Sequence, residues 1–401
     1  MKPSNFFFFV AVIFLFLLLV VFVSKKSHEQ IYKIKSAPQP TDEYLDEIVK
    51  EYVVSNGNSE DPDEQEKRKQ IVKQNLQKIY QYNQEETKKK EKNVVAKFTA
   101  NKFLAYTYEE IVQNFTGLAI PQHLIQADPV PAFENYQLVD FDQIPSTDAK
   151  KDIFYGLSPK LFNKARDQGI CGSCWAFSAV TAVEAQIVKK YVAENPAYIA
   201  VQYYIDCVKK AKGCEGGFPL YVYEKIAEDG FVMWDKYTPY SEDKNEICAK
   251  PKYNLPIDLK GIICFGKEDV AYFTKPYIKE SENFYNLDLR VPNAMMKEKI
   301  KKILFNYGPI SLLIYVDHKL PYISSGIFIA GNKKDGKEMY PNHAVVVAGY
   351  GMNIYGEDYW IVRNSWGSEW AEDGYVQLST KSHISGLNLP ILEKEPPLIT
   401  E

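Results

Sequence analysis

Cysteine is absent from the first 170 residues of this 401-residue chain and again from everything after position 264. All six thiols fall between Cys171 and Cys264, which predicts a cysteine-free leader followed by a separately folding domain that carries disulfides. Histidine is scarce too, with five residues at positions 28, 123, 318, 343 and 383. A zinc site of the common kind needs a second close Cys or His pair, and neither Cys207 with Cys214 nor these scattered histidines supply one. No metal and no cofactor is therefore expected. The formal net charge is only −4, with no basic arm or stripe to track a phosphate backbone, so nucleic acid is not an expected partner. Internal repeats are missing as well.

Long apolar runs are confined to one place. Phe6 to Val23 reads FFFFVAVIFLFLLLVVFV without a break, preceded by Lys2 and followed by Lys25 and Lys26. As a helix it would span roughly 27 Å, close to the hydrocarbon thickness of a bilayer. It exceeds the usual apolar core of a signal peptide, and no small-x-small cleavage site follows it. Residues 1–26 are read as a signal anchor, with a cleaved signal peptide as the alternative. Lysines on both sides leave the positive-inside rule nearly silent on orientation. Either reading sends the remaining chain into the secretory pathway, to a lysosomal or extracellular destination where disulfides are permitted. With the anchor kept, the precursor is a single-pass membrane protein with a luminal C-terminus, and the mature form is expected to be a monomer. The sequon Asn114-Phe115-Thr116 fits a luminal, glycosylated location.

Within the leader, GNSEDPD at 57–63 is turn-rich, Glu64 to Asn83 has helical character, and EETKKKEK at 85–92 reads as a solvated helix end or connector. Further on, CWAFSAVTAVEAQIVKKY at 174–191 places Ala176, Ala179, Val180, Val183 and Ile187 at helical spacing, which predicts a buried helix starting at or just before Cys174. Ile310 to Val316, His343 to Ala348 and Tyr359 to Val362 are apolar, β-branched or aromatic, and bounded by Gly, Pro or Asn, so they read as strands. Helices first and strands second is the order of an α+β domain with two unlike halves.

The chemistry concentrates in QGICGSCWAFSA at 168–179, where Cys171 and Cys174 stand three apart. Such a pair can be redox-active, half of a metal site, or a structural thiol beside a nucleophile. A redox pair is expected inside a βαβ unit, whereas this one follows a Gly-containing loop in a much larger chain. A nucleophile at Cys174 would sit at a helix N-terminus, where exposed N–H groups favour a thiolate. The helix cannot act alone: a thiol of pKa near 8.5 is only about 0.03% ionised at pH 5, and lowering it to about 4 takes roughly 6 kcal/mol. The dipole supplies at most about 2 kcal/mol. A cationic imidazole must provide the rest, held by an orienting group. His343 opens the strand-like run PNHAVVVAGYG, and Asn364 ends another in YWIVRNSWG, so these two are the candidates.

QGICGSCWAF, CEGGFP at 214–219, NHAVVVAGYG and RNSWGSEW at 363–370 resemble, in the same order, the four signature blocks of papain-like cysteine proteases of the cathepsin L and F type. The leader resembles the family's ERFNIN-type inhibitory propeptide: Glu64, Arg68, Val72, Asn75, Ile79 and Asn83 keep its spacing on one helical face, with Val72 replacing an aromatic residue. In TANKFLA, Asn101 and Phe103 match the next block, while Thr99 and Ala105 stand where Gly and Asp are usual. The resemblance covers roughly residues 60 to 390 and implies a two-lobed α+β fold, with a helical left lobe and a β-barrel-like right lobe. Residues 27–145 would be the propeptide, its core at about 60–115, and 146–401 the peptidase domain.

The resemblance also implies roles. Cys174 would be the nucleophile, His343 the general base and then acid, Asn364 the orienting residue, Gln168 an oxyanion-hole donor and Trp366 a shield over the Asn–His bond. Cys171 would pair with Cys214 and Cys207 with Cys248, leaving Cys264 as a buried thiol. A third bridge common in the family is missing on both sides, because GNKKDG at 331–336 lacks its cysteine and Ser385 occupies the other place. Gly216 and Gly217 would let a peptide backbone approach as an added strand. Phe218, Pro219, Leu313, Pro341 and Ala344 would line an apolar pocket for the residue two before the scissile bond. No His-His pair or extra His-bearing insertion near the cleft is visible, which favours an endopeptidase over an exopeptidase. The expected partners are protein or peptide substrates, the chain's own propeptide, and a membrane through residues 6–23 before processing. The competing reading is a catalytically inactive binding protein on the same scaffold.

Overall fold

The computed structural model describes residues 61–88, 96–121, 161–191, 198–229, 231–245, 247–249, 270–272, 308–331, 333–334, 337–353, 355–382, 384–388 and 390–392, with single positions at 43, 46, 49, 297, 300, 301 and 304. The apolar run at 6–23, Cys264 and most of 260–290 lie outside the described residues. Among the described residues no helix is long and apolar enough to cross a membrane. The chain divides into two compact units, Met1–Lys88 with Lys97–Thr107, and Lys89–Ala96 with Tyr108–Glu401.

The first unit is built on helix α1 (Pro62–Lys88), whose first turn carries Asp63 and Glu64 and whose last carries Lys88, matching the sign of the helix dipole at each end. It runs five residues past Asn83, so the first part of the charged 85–92 segment is helix end. The Asp61 carboxylate accepts the Asp63 N–H at 3.0 Å and caps the start. The six residues in steps of four and three share one face, and each has a partner there. Glu64 accepts from Arg68 Nε at 2.6 Å, and Arg68 Nη1 donates to the Ala105 carbonyl at 2.9 Å. Asn75 Nδ2 donates to the carbonyls of Leu104 and Tyr106, both at 2.9 Å. Asn83 exchanges two hydrogen bonds with the backbone of Phe98, at 2.9 and 3.0 Å. Val72, fully buried in place of an aromatic ring, contributes about 1.5–3 kcal/mol by burial, and Ile79 is buried beside it.

The second unit contains helices α2 (Tyr108–Phe115), α3 (Cys174–Tyr191), α4 (Val201–Cys207) and α5 (Pro219–Asp229). Residues 174–188 are all buried, with small alanines at 176, 179, 182 and 185 among them, so α3 has neighbours all round and runs through the middle of the unit. It packs against α4, α5 and the sheet. The sheet has six strands in the order β6 (Ser385–Asn388), β1 (Ile310–Ile314), β3 (His343–Met352), β4 (Asp358–Arg363), β5 (Tyr375–Ser379) and β2 (Ile327–Phe328). Every pairing is antiparallel except β5 with β2. β3 continues past the apolar run that ends at Ala348, because Tyr350 and Gly351 still pair with Trp360 and Tyr359.

Register places the chemistry. Ile314 pairs with His343 and Leu313 with Ala344, so His343 sits at the open end of the sheet. Val346 pairs with Arg363, which brings the residue after β4, Asn364, to the same end. Ser178 on α3 and Ser311 on β1 share a buried hydrogen bond of 3.0 Å, fixing helix to sheet.

Candidate active site

Cys174 is the first residue of α3 and is fully buried, with its sulfur accepting the Ala344 N–H at 3.4 Å. Burial pushes the thiol up to about 12, against the pull of that N–H. His343 opens β3, also fully buried, and its Nε2 lies 2.8 Å from Asn364 Oδ1. Burial lowers the imidazole to about 4, with the hydrogen bond to Asn364 acting in the opposite direction. At neutral pH these shifts leave thiol and imidazole both uncharged, and among the described residues His343 Nδ1 has no hydrogen-bond partner. Asn364 is held in turn, because its Oδ1 also accepts the Ser365 N–H at 2.8 Å and its own N–H donates to Gly374 at 3.0 Å.

Two aromatic rings close this corner. Trp366 stacks on His343 with centroids 4.9 Å apart, and Trp370 meets Trp366 edge-on at 5.1 Å. Gln168 is buried; its Nε2 donates to the Cys171 carbonyl at 2.8 Å and its Oε1 accepts the Ser365 hydroxyl. Cys171 is bonded to Cys214 and Cys207 to Cys248. Beside the first bridge, the Gly172 N–H donates to the Cys214 carbonyl at 2.8 Å, so the loops before α3 and around Gly216 are tied together. Among the described residues no group of three or more His, Cys, Asp or Glu side chains is placed to hold a metal ion.

A backbone does approach Gly216 and Gly217, but it is a segment of this chain and not a substrate peptide. Gly217 N–H donates to Gly117 O at 3.0 Å, and Ala119 N–H donates to Gly217 O at 2.8 Å. On the other side Gly117 and Leu118 both donate to the Asn342 carbonyl, at 3.3 and 3.1 Å, and Trp366 Nε1 donates to Phe115 O at 2.8 Å. A Cβ on Gly117 would stand 2.0 Å from Gly172 O, and one on Gly216 would stand 2.9 Å from Gly117 O. Leu118 and Ile120 pack on a core cluster that includes Phe218, Leu313 and Ala344. Pro219, at the start of α5, and Pro341 are buried as well. Sequence reasoning assigned Asn114 to glycosylation and missed that the next five residues cross the site. The available signal was Gly117 itself, the only glycine between Gly57 and Gly156. Asn114 lies half-buried on α2, and the buried Thr116 hydroxyl donates to Val112 O. Asn342 and Ser365 were also missed, because each acts through backbone or through a second side chain.

Residues 157–390 match the family model described as papain family cysteine protease. The chain belongs to the papain family of cysteine proteases. Among papain-family relatives, the thiol protease SEN102 of Hemerocallis sp. is 28% identical over 323 residues, covering 79% of this chain and 76% of that protein. A cathepsin L-like peptidase of Aedes aegypti is 27% identical over 346 residues, covering 84% and 89%. The structure of digestive procathepsin L2 proteinase from Tenebrio molitor larval midgut has a TM-score of 0.65 at 22% identity, covering 87% of this chain and all of that one. A recombinant stem bromelain precursor reaches a TM-score of 0.60 at 25% identity, covering 87% and 99%. The likeness to both precursors extends the papain-like fold over the leader: the chain is a papain-like cysteine peptidase with a propeptide.

Proposed function

We propose that this chain is the zymogen of a cysteine endopeptidase working through Cys174, His343 and Asn364. His343 Nδ1 takes the proton from Cys174 Sγ, and the thiolate attacks the scissile carbonyl carbon. The negative oxygen that forms is met by the Gln168 side-chain amide and the Cys174 backbone N–H. Its collapse breaks the C–N bond, His343 gives its proton to the departing amine, and the acyl group is left as a thioester on Cys174. Water then gives a proton to His343 and attacks the thioester, releasing the acid and the thiolate. Asn364 keeps the ring aimed throughout.

The observation that carries this reading is the His343 Nε2 to Asn364 Oδ1 contact of 2.8 Å, beside a thiol at the N-terminus of α3. It leaves Nδ1 as the nitrogen available to the substrate side. Residues 115–119 would act as the intramolecular inhibitor, and their removal would open the cleft. The test is to label acid-treated protein with an epoxide that alkylates active-site thiols, beside a Cys174→Ala control. Labelling confined to the unsubstituted protein supports the reading, and equal labelling of both overturns it.

The apolar set Phe218, Pro219, Leu313, Pro341 and Ala344 supports a preference for a bulky hydrophobic residue two before the scissile bond. A peptide-library profile dominated by Arg or Glu at that position would contradict it. Residues 6–23 would keep the precursor at a membrane in the secretory pathway, and processing would free a monomeric peptidase domain. A detergent-free wash should then release the processed form and retain the precursor.

A further inference from the structure

Behind the cleft, the loop Tyr240–Asn245 touches both chain segments that the Cys171–Cys214 bridge joins. Tyr240 donates its hydroxyl to the Gln168 carbonyl at 2.5 Å and lies 3.1 Å from Ser173 Oγ, its ring edge-on to Phe177. Glu242 Oε2 accepts the Ile170 N–H at 2.8 Å. Its carboxylate also lies flat against Gly169, where any Cβ would come within 2.0 Å of it. On the far side of the bridge, the Lys244 side chain packs against Gly213, 2.6 Å from where a Cβ would stand.

This loop is not free to drift. Gln202 on α4 accepts the Ser241 N–H at 3.1 Å and donates to the Asp243 carbonyl at 2.7 Å. One turn on, Asp206 accepts both the backbone and side-chain N–H of Asn245 at 2.8 Å. Gln202 and Asp206 are buried and bonded to each other at 2.9 Å. Glu242 has φ 57, a left-handed conformation that a non-glycine residue holds only when its surroundings dictate it. The anchored loop therefore delivers an exposed carboxylate to one backbone N–H, two residues after Gln168.

We propose that Glu242 is a positioning residue for peptide-bond cleavage, fixing the Gln168–Ile170 backbone so that the Gln168 amide and the Cys174 N–H converge on one oxygen. Oxyanion donors work only when held within a fraction of an ångström, so loss of the bond to Ile170 costs rate without contacting substrate. The inference rests on the reading of Gln168 as an oxyanion donor.

The test is a double-mutant cycle in the processed enzyme, with kcat and KM measured for the unsubstituted chain, Glu242→Ala, Gln168→Ala and the double variant, and Glu242→Gln as the conservative control. Glu242→Ala should lower kcat about tenfold with KM shifted less than about twofold, as for an interaction made in the transition state. Glu242→Gln keeps an acceptor oxygen and should recover most of the loss. In the Gln168→Ala background, Glu242→Ala should have no further effect. An unchanged kcat in Glu242→Ala, or an equal loss in both backgrounds, would overturn the proposal. A Gln168→Ala variant with full kcat would instead overturn the underlying reading of Gln168.

Discussion

Trp366 stacks on His343 at 4.9 Å with 29° between the rings while donating its indole N–H to Phe115 O at 2.8 Å. One side chain thus shields the imidazole and holds the segment that crosses the cleft. Trp366→Phe keeps a ring over His343 but removes the hydrogen bond to Phe115 O, at a cost of about 1 kcal/mol. Acid-triggered conversion of the precursor should become at least about fivefold faster, as read from the half-time of processing on gels.

Burial holds the Cys174 thiol up to about 12 in the precursor. At pH 7 only about one molecule in 10⁵ would be thiolate, so iodoacetamide should barely label the intact precursor. On the proposed mechanism, removal of the leader should hydrate the cleft and let His343 charge beside the sulfur, so the alkylation rate should rise by more than about 100-fold. Mass spectrometry of Cys174 before and after processing measures it.

His343 is depressed from 6.5 to about 4 in the folded precursor. Between these values the unfolded chain binds more protons, so stability rises with pH across the window and is lost as pH falls from about 6.5 toward 4. The loss should amount to about 3 kcal/mol, since one pKa unit corresponds to about 1.4 kcal/mol. Urea midpoints of a Cys174→Ala precursor, chosen to prevent the proposed self-processing, should fall over this range. His343→Ala in the same background should flatten the fall.

Gly117 lies so close to Gly172 that a methyl group would stand 2.0 Å from its carbonyl oxygen. Gly117→Ala must push the segment off Asn342 and Gly217, forfeiting backbone hydrogen bonds worth about 1 kcal/mol each. The unprocessed variant should hydrolyse a peptide substrate at least about tenfold faster than the unsubstituted precursor, while the processed enzymes behave alike.

Much of this was legible before the structure, where side chains carry the signal. The steps from Glu64 to Asn83 gave the face of α1, because a helix repeats every 3.6 residues and each of those side chains has its own partner. That Cys174, His343 and Asn364 lie in one corner was legible because thiol, imidazole and amide belong together chemically. What the sequence could not show works through the main chain. Asn342 contributes a carbonyl, residues 117–119 contribute peptide groups, and Ile170 contributes an N–H. Any residue but proline carries those groups, so no residue type marks them. The end of β3 was missed because Gly349 and Gly351 break the apolar run, while the ladder shifts register between Val347 and Gly349 and then continues to Met352.

The crossing at Gly117 has an evolutionary corollary. Four of its hydrogen bonds use peptide groups alone, so the exposed side chain at 119 can drift without loosening the latch, while position 117 must stay bare and position 118 apolar against the core. Selection on this stretch should act on bulk at 117 and on apolar character at 118 and leave 119 nearly unconstrained, and a foreign strand of equal slimness should silence the enzyme as well.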